Sequence, residues 1–548
     1  MTFKLFVTLG MIFMSSTNLY ALKSIFINAN IYDGENFLNA DTIIVDQGLF
    51  LKIGKYAEIK NLISTKDTII DLKGARVLPG FIECHGHLLG MGQSLLNLDL
   101  RNLQLEEINR LLKNQAEKQP AGTWIKGRGW DQNLWPSKKF PEASMLSDAS
   151  SKHPIFLRRV DGHAAWLNRQ ALAIAGIDAT TKDPSGGHIV RDASGHPTGV
   201  LIDHAMDLVD KYVDKPSNEE LENYLELATQ AALSLGITSF HDAGASREAL
   251  DLYTTHANAN RLSLRIFAMI DGDDQNLVSE YLKLGPQKIS DYLAIRSIKY
   301  FADGALGSRG AWLLNDYHDQ PGSKGLSLIS EEKLREATSE ALKAGFQIAT
   351  HAIGDQANRM VLTAYERALL KVPRHDARLR IEHAQLIDPE DHIRFKKSSI
   401  IASMQPIHCT SDMAWVPERL GLPRLFNRAY PWRSLLDLGV VLAFGSDTPV
   451  ESINPIEGLY AAVSRTSANG KIPFMPEQQL TMKQALRGFF VGAAFAEFNE
   501  HRKGKIAAGF LADFVVFGDD FLHLPKSAFL KAKPIMTVVG GRVVFSRS

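Results

Sequence analysis

Only two cysteines occur in the 548 residues, Cys84 and Cys409, so no disulfide framework holds this chain together. Its stability must come from a buried core, which a chain of this length can build. Net charge is missing as well, because 61 Lys and Arg balance 61 Asp and Glu. That removes the usual electrostatic basis for binding nucleic acid or an anionic membrane surface. No long run of one charge sign, no internal repeat and no low-complexity tract stands out. What remains is the make-up of an ordinary soluble globular protein, 45% hydrophobic and 22% charged. The partner to expect is a small-molecule substrate. A homo-oligomer is compatible with the sequence.

One segment differs from the rest. "MTFKLFVTLGMIFMSSTNLYALKS" places Lys4 before an apolar run from Leu5 to Met14, then polar residues and Ala21. This is the layout of a secretory signal peptide over 1–21, although Leu19 sits where a smaller residue is usual. The run is too short to span a bilayer. Export to a periplasm or medium is expected, with no membrane span once the signal is removed. The alternative is a buried first strand.

Both ends of the mature chain are rich in strand patterns. "SIFINANIYDG", "DTIIVDQGLFLKIG" and "TIIDLKGARVLPG" near the start match "LADFVVFG" and "IMTVVGGRVVFS" near the end. A small β-sandwich domain built from residues 22–76 and 501–548 is the simplest arrangement, and two separate β caps the alternative. Between them, over 77–500, strand and helix patterns alternate. Candidate strands end at Glu83 and run over 236–242, 262–270, 293–301, 346–352, 378–384, 398–404 and 440–447. Helical stretches such as "EEKLREATSEALKAG" lie between, with Gly345 as a stop signal. Eight such units predict an α/β fold of the TIM-like (β/α)8 barrel class; a doubly wound open sheet is the alternative. About 150 residues separate the first two strands, so a large insertion at about 93–235 is read as a lid over the catalytic face.

The stretch "VLPGFIECHGHLLGMG" ends an apolar strand in two histidines one residue apart. Alternation puts Glu83, His85 and His87 on one face and Cys84 on the other. Two imidazoles crowded together make sense if both are neutral and share a metal ion. In a barrel, functional residues sit at the C-terminal ends of strands. Reading the other strands to their ends yields Lys299 in "IKYFADG", His351 in "ATHAIGD", His383 in "IEHAQ" and Asp447 in "FGSDTP". These are the ligand types of a transition-metal site, plus one lysine. Parity favours inward placement of His351 and Asp447, since Ala349 and Ala443 share their faces. His383 is less clean, because Ile381 shares its face. Lys299 as an ammonium cannot bind a metal. It is either a cationic clamp for substrate or, after reaction with carbon dioxide, an anionic carbamate.

Together, "PGFIECHGH", "IKYFADGALGSRGA", "THAIGDQA", "RIEHAQ" and "GSDTPV" resemble the amidohydrolase superfamily, in the branch called amidohydrolase family 3, which includes N-substituted formamide deformylases. The resemblance runs over nearly the whole mature chain. It implies a metal-dependent amidohydrolase holding one or two divalent ions, zinc being the expected metal. It implies His85 and His87 on one ion, His351 and His383 on a second, and an N6-carboxylated Lys299 between them. Asp447 would stand at the attacking water as ligand and as catalytic general base and acid. Glu83 departs from the aspartate common in the superfamily, and a supporting place beside the ligands is expected. Hydrolysis of an amide or substituted-formamide C–N bond by a metal-activated hydroxide would follow.

Weaker candidates for substrate contact are Arg128, Trp130 and Asp131 in "GRGWDQ", Asp161, His163 and Trp166 in "DGHAAW", His241 in "SFHDAG" and Asp303 in "ADG". The tryptophans suggest an apolar or aromatic substrate group. The same water chemistry serves deamination and ester or lactone opening, so these stand as alternatives. A non-catalytic binding protein on the same fold is a further one. It would be marked by a lost ligand, and all six positions carry suitable residues.

Overall fold

β-Branched and aromatic residues in short runs set the strands. Eight of these form one parallel sheet: Phe81–Gly86 (β1), Ile237–Ala245 (β2), Arg265–Asp271 (β3), Leu293–Phe301 (β4), Gln347–Ala352 (β5), Arg380–His383 (β6), Ile401–Met404 (β7) and Leu442–Phe444 (β8). The structure is a computed structural model, and it describes residues 22–146, 152–467, 470 and 473–547. The leader expected over 1–21 lies outside the described residues. No helix among them is long and apolar enough to cross a membrane.

The strands are hydrogen-bonded in sequence order from β1 to β8. An open doubly wound sheet would reverse that order partway. The two ends of the sheet meet instead: Asp447 N donates to His85 O at 2.7 Å and His87 N to Thr448 O at 2.8 Å. The result is a TIM-like barrel. Helices such as Arg247–Asn258, Glu331–Ala344 and Asp355–Lys371 cover its outside. Glu331–Ala344 begins with the Ser330 side chain accepting from Lys333 N and stops at Gly345, which takes a left-handed φ of +94°. Phe346, Ile348, Leu442 and Phe444 pack beneath these helices, while the small Ala349 lies in a separate cluster with Phe267 and Met269.

The chain ends pack on each other. Ser24–Ile27, Thr42–Asp46, Leu49–Gly54 and Thr68–Asp71 form one sheet. Asn30–Ile31 and Arg76–Pro79 join Phe514–Phe517, Pro534–Val539 and Arg542–Ser546 in another. Phe26, Ile43, Phe50, Val77, Phe514 and Val538 fill the space between them. Val77 and Leu78 pair with Val516 and Val515, so residues 77–79 belong to this terminal sheet and the barrel begins at Phe81. Asp513 ties the unit to the barrel through Arg265 at 2.6 and 2.8 Å.

The insertion folds as a six-stranded sheet, in the order Gly187–Arg191, Pro197–Asp203, Ala164–Leu167, Ile155–Arg159, Ile125–Trp130, Leu98–Asp99. Apolar clusters cover both its faces. It lies against the barrel mouth, where Arg419 Nη2 donates to Asn133 Oδ1 at 2.7 Å. The long helix Asn218–Ser234, opened by a Ser217–Glu220 capping box, leads the chain back into β2.

Candidate active site

A cavity of about 500 Å3 opens at the C-terminal ends of the strands, between barrel and inserted sheet. His163, His351, His383, His408 and Asp447 line it. His85 is buried beneath, and His87 is about a third exposed beside it. Ring centres run 5.0 Å from His163 to His351, 4.5 Å to His383, 4.8 Å on to His85 and 5.8 Å to His87. The six residues that the sequence points to as ligands thus converge from five different strands. Asp447 Oδ1 lies 3.3 Å from His87 Nε2 and 3.5 Å from His85 Nε2. Two sets of donor atoms lie within reach of a single ion: His85, His87 and Asp447, and His383, His408 and Asp447.

Two of the rings, His85 and His383, are aimed by a neighbour. His85 Nδ1 lies 2.5 Å from Glu382 Oε2, and Glu382 accepts from Arg380 at 2.7 and 3.1 Å. Burial alone would raise the Glu382 carboxyl, but Arg380 and His85 outweigh it and hold it well below the usual range. His383 Nδ1 lies 2.7 Å from Gln405 Oε1. Both rings therefore present Nε2 toward the cluster. Burial holds His85, His351 and His383 below the usual imidazole range, in the neutral form that binds metals.

Strict alternation fails at His383, at Cys84 and at Asp447, which lies past the end of β8 with a left-handed φ of +62°. Ile381 packs in the outer core, yet His383 faces the cavity. Left-handed backbone at His383 (φ +70°) and Ala384 (φ +45°) swings the ring inward. Cys84 does not turn away from His85. Its Sγ lies 3.3 Å from His241 Nδ1 and 3.5 Å from Arg380 Nη2, in the buried network that holds His85. The β1–β2 register shifts at this end, between Phe240 and Asp242.

Lys299 is 1% exposed. Its Nζ has no hydrogen-bond partner and lies 4.0 Å from the centre of the Phe301 ring. Burial, chiefly, lowers its pKa to about 8. Glu83 supports backbone rather than a ring: Oε1 accepts from His85 N at 3.0 Å and from Ser446 N at 2.8 Å, fastening β1 to the segment after β8. A Cβ at Gly445 would come within 2.2 Å of that oxygen, so glycine is required there.

Among the weaker candidates, Asp131, Asp161 and His163 line the cavity. Asp131 and Asp161 both pair with the buried Arg159. The other five do not line it. Trp130 stacks on Trp135 and Trp166 meets both edge-on inside the inserted lobe, so they are core, and the aromatic-substrate hint from them lapses. Arg128 lies behind the turn and donates to Val160 O at 3.1 Å. His241 is fully buried among Cys84, Arg380 and Glu497. Asp303 accepts from Trp312, Ile353 and Gly354 N–H groups at 2.8–3.0 Å, joining the loops after β4 and β5, and stands 3.5 Å from His351 Nε2. Burial pushes its carboxyl up to about 7.

The structure adds His408. Its Nε2 lies 3.6 Å from Asp447 Oδ2 and its Nδ1 3.3 Å from Glu451 Oε1. It stands on the helix Pro406–Asp412 directly after β7, where the same strand-end reading would have found it. Arg380 and Glu382 carried a signal too, as charges alternating in β6, where all four residues are buried.

A barrel of sequential parallel strands, with imidazoles, a lysine and a carboxylate gathered at their C-terminal ends, defines the class of metal-dependent hydrolases. The sequence profile of the amidohydrolase family (Amidohydro_3) matches residues 68–545, and the chain belongs to that family, in its third branch. Protein LONG AFTER FAR-RED 3 of Arabidopsis thaliana is 35% identical over 539 residues, covering 94% of this chain and 91% of that one. The N-substituted formamide deformylase of Arthrobacter pascens is 26% identical over 550 residues, covering 95% of this chain and 98% of that one. An uncharacterized metal-dependent hydrolase from Pyrococcus horikoshii OT3 has a solved structure that superposes with a TM-score of 0.75 at 27% identity. The match covers 92% of this chain and 99% of that one.

Proposed function

We propose that this hydrolase cleaves the C–N bond of a small amide, with N-substituted formamides the first class to test, at a divalent metal centre held by His85, His87, Lys299, His351, His383 and Asp447. One observation carries the reading. His85 Nε2, Lys299 Nζ and Asp447 Oδ1 are all buried, all without a hydrogen-bond partner, and all in the same cluster. Buried polar atoms left unpaired cost about 1–3 kcal/mol each, and a bound cation would satisfy the nitrogen and the carboxylate. The donor chemistry of neutral imidazoles with a carboxylate suits zinc. Lys299 fits as a carbamate, formed when its neutral amine adds carbon dioxide and releases a proton. That exchanges an unpaired cation among imidazoles for an anionic oxygen ligand.

A divalent ion supplies Lewis acidity, and lowers the pKa of water from 15.7 to about 7. The remaining steps belong to the chain's own side chains. Asp447 takes the proton of the attacking water and returns it to the leaving nitrogen. Glu382 and Gln405 keep His85 and His383 in the tautomer and orientation their role needs. The inserted sheet walls the cavity on one side and limits bulk water. The homology to an N-substituted formamide deformylase over nearly the full length of both chains supports formamides as the first substrates to try.

The test is metal analysis of the purified protein, with a screen of N-acyl and N-formyl amines, lactones and amino-heterocycles. Release of amine and acid from an amide by protein carrying one or two ions is expected; two ions would support the carbamate and one a plain lysine. Asp447→Asn should keep most of the metal and lose turnover. Turnover confined to a lactone would refute the C–N assignment, turnover confined to an amino-heterocycle would refute the amide as substrate, and full turnover by Asp447→Asn would refute its role.

A further inference from the structure

The inserted lobe reaches the imidazole cluster at one side chain. His163 stands on the turn between Ile155–Arg159 and Ala164–Leu167. Gly162 gives that turn a left-handed φ of +79°. Asp161 Oδ1 accepts from His163 N at 3.1 Å. Asp203, at the end of the neighbouring strand Pro197–Asp203, places Oδ1 2.6 Å from His163 Nδ1 and donates its own N–H to His163 O at 2.9 Å.

Asp203 is in turn locked into the barrel. Its carboxylate lies against Gly304 and Gly310, in the loop after β4. Cβ atoms at those positions would come within 2.3 and 2.5 Å of Oδ2. Asp203 is 5% exposed, its Oδ2 has no hydrogen-bond partner, and its backbone holds a left-handed φ of +49°. A buried carboxylate on a strained backbone costs free energy, and an observed outlier of this kind points toward function. With Nδ1 engaged, the ring has one orientation, and Nε2 is the edge left for the cavity. Among the described residues none is hydrogen-bonded to it. The ring centre is 5.0 Å from that of His351, so a molecule held at the imidazole cluster would meet this edge.

We propose that His163 is a catalytic residue contributed by the insertion, its Nε2 making a polar contact with the scissile amide group, and that Asp203 is its positioning residue. The proposal rests on the hydrolytic reading above and deepens it. Asp203 fixes which ring edge faces the substrate, and the two glycines fix Asp203 relative to the barrel. Lobe and barrel are thereby held in one register at the reacting group.

The test uses the metal-loaded protein and acetohydroxamate, a small acid-amide probe, beside turnover of whichever amide the screen yields. His163→Asn should bind the probe about tenfold less tightly, the worth of one hydrogen bond to a charged or polarised group. It should lose at least about tenfold in kcat, with KM less affected, and keep the wild-type metal content and unfolding midpoint. Asp203→Asn should show the same losses, Asp203→Glu should recover part of them, and the His163→Asn/Asp203→Asn pair should be no worse than His163→Asn alone. Wild-type affinity and kcat in His163→Asn would overturn the proposal, as would loss of metal in that variant or fully additive effects. If the wild-type protein hydrolyses no amide, the hydrolytic reading fails, and the probe titration still decides whether His163 touches an acid-amide group.

Discussion

Removing the charge of Glu382 should damage both the metal site and the fold, and the two effects can be separated. Glu382 is fully buried, with His85 Nδ1 on one side and Arg380 on the other. In Glu382→Gln the amide oxygen can still accept from one partner, but the anion that orients His85 is gone. Loss of such a partner lowers metal affinity about 10- to 100-fold, or about 1.4–2.8 kcal/mol. Arg380 is 0% exposed and would be left as a buried cation without its counter-charge. Its other acceptors are neutral: Cys84 O at 2.8 Å and Ser403 Oγ at 2.9 Å. Breaking a buried pair in this way costs about 3–5 kcal/mol. The double variant Arg380→Met/Glu382→Gln removes the stranded charge and should regain most of that stability, yet not the metal affinity. Chelator competition reads the first quantity and denaturant unfolding the second. A single variant with wild-type affinity and stability would refute the reasoning. So would a double variant that restored both.

Asp303→Asn offers one acceptor oxygen where three backbone N–H groups now converge, and should cost about 1–3 kcal/mol per group left unpaired, read by denaturant unfolding. Trp130→Ala should destabilise the inserted lobe by about 3–5 kcal/mol through loss of core, seen as early proteolysis of that lobe, with KM changed little. Asp291 is held below the usual aspartate range chiefly by its hydrogen bond from Arg502, with Lys288 adding to it. Its folded pKa lies below the unfolded one, so its contribution is fully present above about pH 4 and fades as pH falls through the folded value. Asp291→Asn should therefore lower stability at pH 7 by under about 1 kcal/mol, since the pair is partly exposed, and the difference should vanish in strong acid and shrink in high salt. An equal difference at all pH values would contradict this.

The barrel could be read because short buried runs alternate with helical stretches and several of them close on a polar end. His351 could be placed because alternation holds along β5 up to it, whereas His85 and Asp447 were legible as polar ends of their runs, Asp447 lying past β8 at a left-handed φ of +62°. His383 escaped that logic, since its ring turns inward through a left-handed residue that periodicity cannot register. Cys84 escaped it for a similar reason, the register slip beside β1. His408 lies on the helix after β7, so alternation does not mark it, and only reading past the strand end would have found it. The lobe's tryptophans misled because a large aromatic in a glycine-rich stretch looks the same whether it faces a ligand or its own core. Only the three-dimensional packing of Trp130 on Trp135 and Trp166 distinguishes them.

The proposed chemistry requires six side chains to gather around bound cations. Anomalous diffraction from crystals grown with zinc tests this most directly. The predicted result is one or two peaks at roughly 2.0–2.2 Å from imidazole nitrogens and a carboxylate oxygen among His85, His87, His351, His383 and Asp447, with added density on Lys299 Nζ if two ions bind. A map without zinc at these residues, or with zinc held only by other side chains, would contradict it.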